Sequence, residues 1–193
     1  MKKRLRIEYF LVAAVMLLLF VGSIAATNFF FQKEMVAQQE TYLRRKNTLL
    51  TDQLPPSVFE KGQLTNQQQL LVTHALDDAE ERVTLLQKNG TVFFDSSQNE
   101  PLESHKKRPE IAAVLSGATY GSALRKSKTL NKELLYVATP VLKSGEIVGI
   151  IRISEQTALF SKNIQSFRRY IIFTFGILFL LITLFIFLLL RQK

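Results

Sequence analysis

Two long uncharged runs divide this chain and decide most of what it can fold into. The first extends from Tyr9 to Phe31 and the second from Tyr170 to Leu190. Roughly 20 apolar residues in a helix cross a hydrocarbon core of about 30 Å. A helix also satisfies its own backbone polar groups in lipid. The second run is apolar on every face, which a soluble core helix has little reason to be. The first has a rival reading, because Ser23-Ile24-Ala25 after the basic stretch Met1–Arg6 also fits the end of a signal peptide. Its continuation through Phe29, Phe30 and Phe31 favours an uncleaved membrane helix.

The organisation that follows is a tail at 1–8, a membrane helix at 9–31, an outer domain at 32–169, a second membrane helix at 170–190 and an end at 191–193. Lys2, Lys3, Arg4 and Arg6 place the N-terminus in the cytoplasm, and two crossings return the C-terminus there. Arg168 and Arg169 on the outer side weaken that signal without reversing it. Of the formal charge of +9, the tails take +3 and +2, which leaves the outer segment at +4. So mild a surplus gives no reason to expect nucleic acid as partner. Without cysteine the outer domain has no disulfide to lean on, yet at about 138 residues it can bury a core unaided.

Gln32 to Leu54 contains no glycine or proline and predicts a helix continuing out of the membrane, stopped by Pro55 and Pro56. Met35, Tyr42 and Leu49 recur every seven residues along it, widened by Leu43 and Leu50. That stripe fits either a face laid on the domain core or a dimer seam. Thr65 or Asn66 caps a second helix. The period then changes to that of strands, with Asn89-Gly90 as a hairpin turn between "RVTLLQ" and "TVFFD". "PEIAAVLSG" predicts a short helix with proline at its start and Gly117 at its end. Three strands follow, "YGSALRKSKT", "LLYVATPV" and "EIVGIIRIS", and Pro140 points to an edge or strand end. Glu155 to Arg169 returns to helix, with a Phe160, Ile164, Phe167 stripe leading into the second membrane run. The expected class is α+β, a five-stranded antiparallel sheet with helices on one side.

The chemistry of catalysis is sparse. There is no cysteine nucleophile, no G-x-S-x-G elbow, no H-E-x-x-H and no phosphate-cradling loop. His74 and His105 lack a second histidine at metal-ligand spacing, and Asp77, Asp78, Glu80 and Glu81 read as a solvated acidic face. The chain is expected to be no enzyme by itself and to need neither metal nor cofactor.

The run from Asp95 to Ile111 carries a resemblance. With "ERVTLLQKNGTVFFDSS", "SKTLNKELLYVATPV" and "GEIVGIIRIS" around it, the chain resembles the outer sensor domain of PhoR-type sensor histidine kinases, the phosphate-responsive receptors of Gram-positive bacteria. Asp95, Ser96, Glu103, His105, Arg108, Pro109, Glu110 and Ile111 match the family's pattern, whereas Ser104 stands where asparagine is usual. The resemblance implies a PAS-like or Cache fold for the outer domain, a homodimer, and a linker and kinase part that reach a cognate response regulator. No phosphoacceptor H-E-x-x-x-P occurs in this sequence.

Within that fold the charged connection borders a ligand pocket. Arg108 is expected to bond Asp95 or Glu103 and lock the loop, with Glu110 placed to favour the helix dipole. A small anionic ligand held by Arg108, His105, Arg125 or Tyr136 is the sharper reading. The Phe160–Ile164–Phe167 face would pass movement to the membrane. A stand-alone module regulating a membrane partner is the alternative, and a surface enzyme a distant third.

Overall fold

The computed structural model describes residues 2–76, 81–98, 103–127 and 131–191, apart from the side chains of 2–6, 9, 158–168 and 190. The acidic cluster at Asp77, Asp78 and Glu80 lies outside the described residues, as do the side chains of Phe160, Ile164 and Phe167. The chain divides into two compact units, Met1–Met35 with Leu159–Lys193, and Val36–Ala158.

In the first unit the apolar runs are helical, as parts of α1 (Lys2–Gln53) and α5 (Thr157–Arg191). Phe20 stacks on Phe179 with ring centroids 5.5 Å apart. Phe10, Leu18, Phe173 and Leu180 are among many large apolar side chains left largely exposed. A surface this apolar needs lipid or a partner to cover it. Two apolar helices therefore flank the second unit, the arrangement of a two-pass membrane protein.

The second unit opens with the last turns of α1, which end where Pro55 forbids another. Pro56 then starts a short helix that the sequence reading did not contain, α2 (Pro56–Lys61), closed by Gly62 at φ 66. Thr65 caps α3 (Asn66–His74) through a full capping box with Gln68. The strands are β1 (Arg82–Gln87), β2 (Val92–Asp95), β3 (Gly121–Lys126), β4 (Glu133–Lys143) and β5 (Glu146–Gln156), with α4 (Pro109–Leu115) before β3. They form one antiparallel sheet in the order β2-β1-β5-β4-β3. The β4–β5 turn holds Ser144 and Gly145 both at positive φ, which suits the twist of a tight hairpin.

Alternation along the strands gives the sheet two different faces. On one, Val83, Leu85, Leu135, Val137, Ile151 and Ile153 pack under Leu43, Leu50, Leu54, Val58, Phe59 and Val72. Asn47 pins α1 there, donating to the Val137 carbonyl at 2.9 Å. On the other, Leu86, Ala138 and Ile150 meet Ile111 and Val114 of α4.

Four expectations change. Helices cover both faces, because α4 brings its own apolar side down on the face opposite α1. Glu155 and Gln156 end β5 instead of starting a helix, held there by pairing with Leu135 and Leu134. Pro140 sits within β4, opposite Ile150, and β4 is an interior strand. The pairing with β3 stops at Gly121–Ala138, so β4 has a neighbour on one side only at Pro140 and the missing N–H is tolerated. Finally, the core-facing stripe of α1 is Leu43, Asn47 and Leu50, continued by Leu54 just past its end, while Tyr42 and Leu49 are exposed and Met35 is half-buried.

Candidate functional site

The face of the sheet beneath α4 changes character along its length. Beyond the apolar patch of Leu86, Ala138 and Ile150, the next inward positions are Thr84, Tyr136 and Arg152, then Arg82 and Ser154. Arg152 follows from the strand period: Ile151 and Ile153 point to the α1 core, so the residue between them must point the other way.

Arg152 is 2% exposed and lies at the centre of a buried charge network. It donates to Thr84 Oγ1 at 2.9 Å and to Glu110 Oε1 at 3.3 Å. Glu110 is fully buried and accepts from Arg125 at 2.9 Å through the same oxygen. Arg125 lies 3.8 Å and Arg152 5.0 Å from the centroid of the Tyr136 ring, so one ring receives two cations. Thr84 donates onward to Asp95 Oδ2 at 2.8 Å, and Arg82 Nε reaches both Asp95 oxygens at 2.8 and 3.0 Å. Ser97 donates to Asp95 from its amide and hydroxyl, which ties the following loop to the strand.

The loop returns to this face at His105. Its amide donates to the Gly90 carbonyl, and its own carbonyl accepts from the Arg108 amide, both at 2.9 Å. Gly90 has φ +87, and a Cβ there would lie 2.7 Å from Lys106 Cβ, so the hairpin turn meets the loop backbone without a side chain between them.

Burial and charge set the titration of these groups. Burial, then the positive charges of Arg152, Arg108 and Arg82, lower His105 to about 4, against a smaller opposing pull from Asp95. Burial alone would raise Glu110, but the hydrogen bond from Arg125 and the charges of Arg125 and Arg152 outweigh it and hold the carboxyl below its ordinary value. Arg152 is drawn down to about 10, chiefly by burial, with Glu110 opposing.

A pH dependence follows. Between 6.5 and about 4, His105 stays neutral in the fold while the unfolded chain takes up its proton. The unfolded state binds more protons there, so stability falls as pH is lowered through that interval. The loss should be about 2 kcal/mol after allowance for solvent at the loop. Glu110 adds a second loss, below its ordinary 4.5, as pH falls through its depressed value. His105→Gln should flatten the slope between 6.5 and 4 and leave the lower loss in place; an unchanged slope would remove His105 from this account.

Of the residues singled out in the sequence, Asp95, His105, Glu110, Arg125 and Tyr136 converge here. Glu103 is exposed, and Arg108 makes no ion pair among the described residues. The expected Arg108 lock is replaced by Arg82, which lies on the neighbouring strand with a two-point approach to Asp95. Arg108 instead caps α4 through its backbone. Glu110 sits in the first turn of α4 as expected, but its carboxylate serves the arginines. Arg82, Thr84, Arg152 and Ser154 were not singled out, although a charged residue between two isoleucines of a strand was the available signal.

Residues 53–156, just over half the chain, match the family model described as Single Cache-like. The chain belongs to that family. The sheet with flanking helices is thus a Cache sensor domain, in agreement with the fold expected from the sequence. The sensor domain of the V. cholerae histidine kinase DctB superposes with a TM-score of 0.55 at 17% identity, over 68% of this chain and 54% of that one. An extracellular ligand binding receptor from Desulfohalobium retbaense gives 0.53 at 10%, over 68% and 25%. The E. coli DcuS sensor domain gives 0.51 at 13%, over 68% and 98%. At these identities the Cache domain shares their fold. This chain spans about half the length of the DctB chain. A search among curated proteins found no match.

Proposed function

We propose that this Cache protein is the sensing and relay part of a two-pass sensor histidine kinase of the phosphate-responsive PhoR type. In this reading both termini are cytoplasmic, residues 32–169 lie outside, and phosphotransfer to a response regulator belongs to kinase domains and not to these residues. The observation that carries the reading is the course of β5. It presents buried Arg152 and Ser154 to the α4 face, and one residue after its end, Gln156, the chain is already α5. A guest on that face acts on the strand at the root of a membrane helix. It would shift the population by no more than its differential affinity for two conformations, and helix movements of about 1–2 Å are a known form of output. What supports the phosphate-responsive type is the run from Asp95 to Ile111 with its matching residues.

The test is a chimera in which 32–169 replace the outer domain of a phosphate-responsive kinase. A reporter that follows phosphate limitation supports the full reading. One that answers another stimulus removes the phosphate type and keeps the sensor. Silence in a chimera that is inserted and stable counts against sensing.

Signalling of this kind is the work of a homodimer, and α1 offers a seam. Tyr42 is 37% and Leu49 60% exposed, on the flank of the helix next to its core-facing stripe. The chain has no native cysteine, so Leu49→Cys in membranes should form a disulfide-linked dimer under mild oxidation, while buried Leu43→Cys should not. A Leu49→Cys chain that stays monomeric under conditions that link a positive control would remove this seam.

A further inference from the structure

We propose that the end of the sheet away from Gln156 is a docking surface for a flexible polyanion. The surface is separate from the buried face and does not depend on what that face binds. The outward placement proposed above makes an anionic polymer of the cell envelope the source.

The β1–β2 and β4–β5 turns come together at this end, since Gln87 pairs with Gly149 while Arg82 pairs with Ser154 at the other. The loop before α4 is fastened to the first of these turns. The Gly90 carbonyl accepts from the Ser104 hydroxyl at 3.3 Å and from the His105 amide at 2.9 Å. The Lys106 backbone lies so close that a Cβ at Gly90 would come within 2.8 Å of its Cα. A loop held by its backbone displays Lys106, Lys107 and Arg108 in a row, on the turn that also carries Lys88. Lys88, Lys106 and Lys107 are exposed and Arg108 is half-buried.

These cations are poorly matched by the protein itself. Among the described residues, Lys106, Lys107 and Arg108 have no carboxylate partner. Lys88 reaches Glu146 at 3.6 Å, but both side chains are largely exposed, and such a pair is worth little. Four cations therefore stand against two exposed carboxylates, Glu103 and Glu146. Like charges held together repel and cost the folded state stability. A bound anion removes that cost.

The same surface does not suit a folded protein partner. Residues 88–91 and 103–108 contain no large apolar side chain. Protein interfaces bury an apolar core and are depleted of lysine. A flexible chain of closely spaced anions needs no such core, because it binds along exposed cations and releases counterions as it does so.

The test uses the full chain in nanodiscs of zwitterionic lipid and follows binding of labelled polyphosphate as salt is raised. Polyphosphate should bind with a log–log salt slope on the order of −3, about −0.7 for each of four cations neutralised. Polyglutamate should compete for the same surface. The triple variant Lys106→Gln, Lys107→Gln, Arg108→Gln should bind at least about tenfold more weakly, with a slope near about −1. It should melt no lower than the parent, since glutamine keeps the backbone bonds of Arg108 that start α4. A charge-matched triple in the tail, Lys2→Gln, Lys3→Gln, Arg4→Gln, should leave binding largely unchanged. Equal losses in the two triples would reduce the effect to net charge and overturn the surface. Binding that is absent or indifferent to salt overturns it as well, as does binding to anionic vesicles with none to the polymers. Each of these failures leaves the sensing role to the chimera.

Discussion

Glu110→Ala should lower the melting temperature of the full chain by about 10 °C or more, the largest single effect expected from a side chain of the charge network. Glu110 is fully buried, and its Oε1 is the described carboxylate partner of both Arg125 and Arg152. Removing one member of a buried ion pair leaves an uncompensated charge and costs about 3–5 kcal/mol. In a domain of this size that corresponds to a shift of several degrees per kcal/mol. The double variant Glu110→Ala with Arg152→Met should recover part of the loss, because it withdraws the stranded charge as well. Glu103→Ala, on the exposed part of the loop, is the control and should do little. If Glu110→Ala melts within about 2 °C of the parent, the network is not holding α4 to the sheet.

Gly121→Ala should come next, at about 3 kcal/mol, for a steric and not an electrostatic reason. A Cβ at Gly121 would lie 2.1 Å from the Glu110 carbonyl oxygen and 2.9 Å from the carbonyl carbon. These are backbone atoms of the first turn of α4, so no flexible side chain can move aside. Either α4 lifts or the start of β3 shifts, and both motions pull Glu110 away from Arg125 and Arg152. Ser122→Ala, one position along and exposed, separates this from any effect of changing strand propensity. Amide exchange within α4 should rise in Gly121→Ala and stay unchanged in Ser122→Ala. A fully stable Gly121→Ala protein would mean that α4 does not sit this close to β3.

These two positions also mark how far the sequence could be read. Local signals were legible: Asn89-Gly90 between apolar runs became the β1–β2 hairpin, and Pro109 became the first residue of α4. Thr65 capped its helix as its side chain allows. Period was harder to phase. Along α1 the residues Tyr42 and Leu43, and Leu49 and Leu50, are adjacent, so a seven-residue repeat fits both sides of the helix equally well. Only the sheet beneath selects Leu43 and Leu50 for the core. The site was half visible for a related reason. Asp95, His105 and Glu110 are gathered in one short segment, whereas Thr84 and Arg152 are 68 positions apart in number and meet through the β1–β5 register. Nothing local encodes that pairing. The partner of Asp95 was open to local reading: Arg82 and Arg108 each stand 13 positions from it, but only Arg82 shares its hairpin, where its Nε reaches both carboxylate oxygens.

The abrupt passage from Gln156 in β5 to Thr157 in α5 constrains how receptors of this build can be recombined. With no connecting loop to absorb a mismatch, each residue inserted at the junction turns everything downstream by about 100° and advances it by about 1.5 Å. Sensor domains can then be exchanged between proteins only in phase, much as coding segments can be joined only in frame. If the proposed relay through α5 holds, insertions of three or four residues, close to one full turn, should be the tolerated ones, and those of two or five should scramble the output while leaving the Cache domain folded.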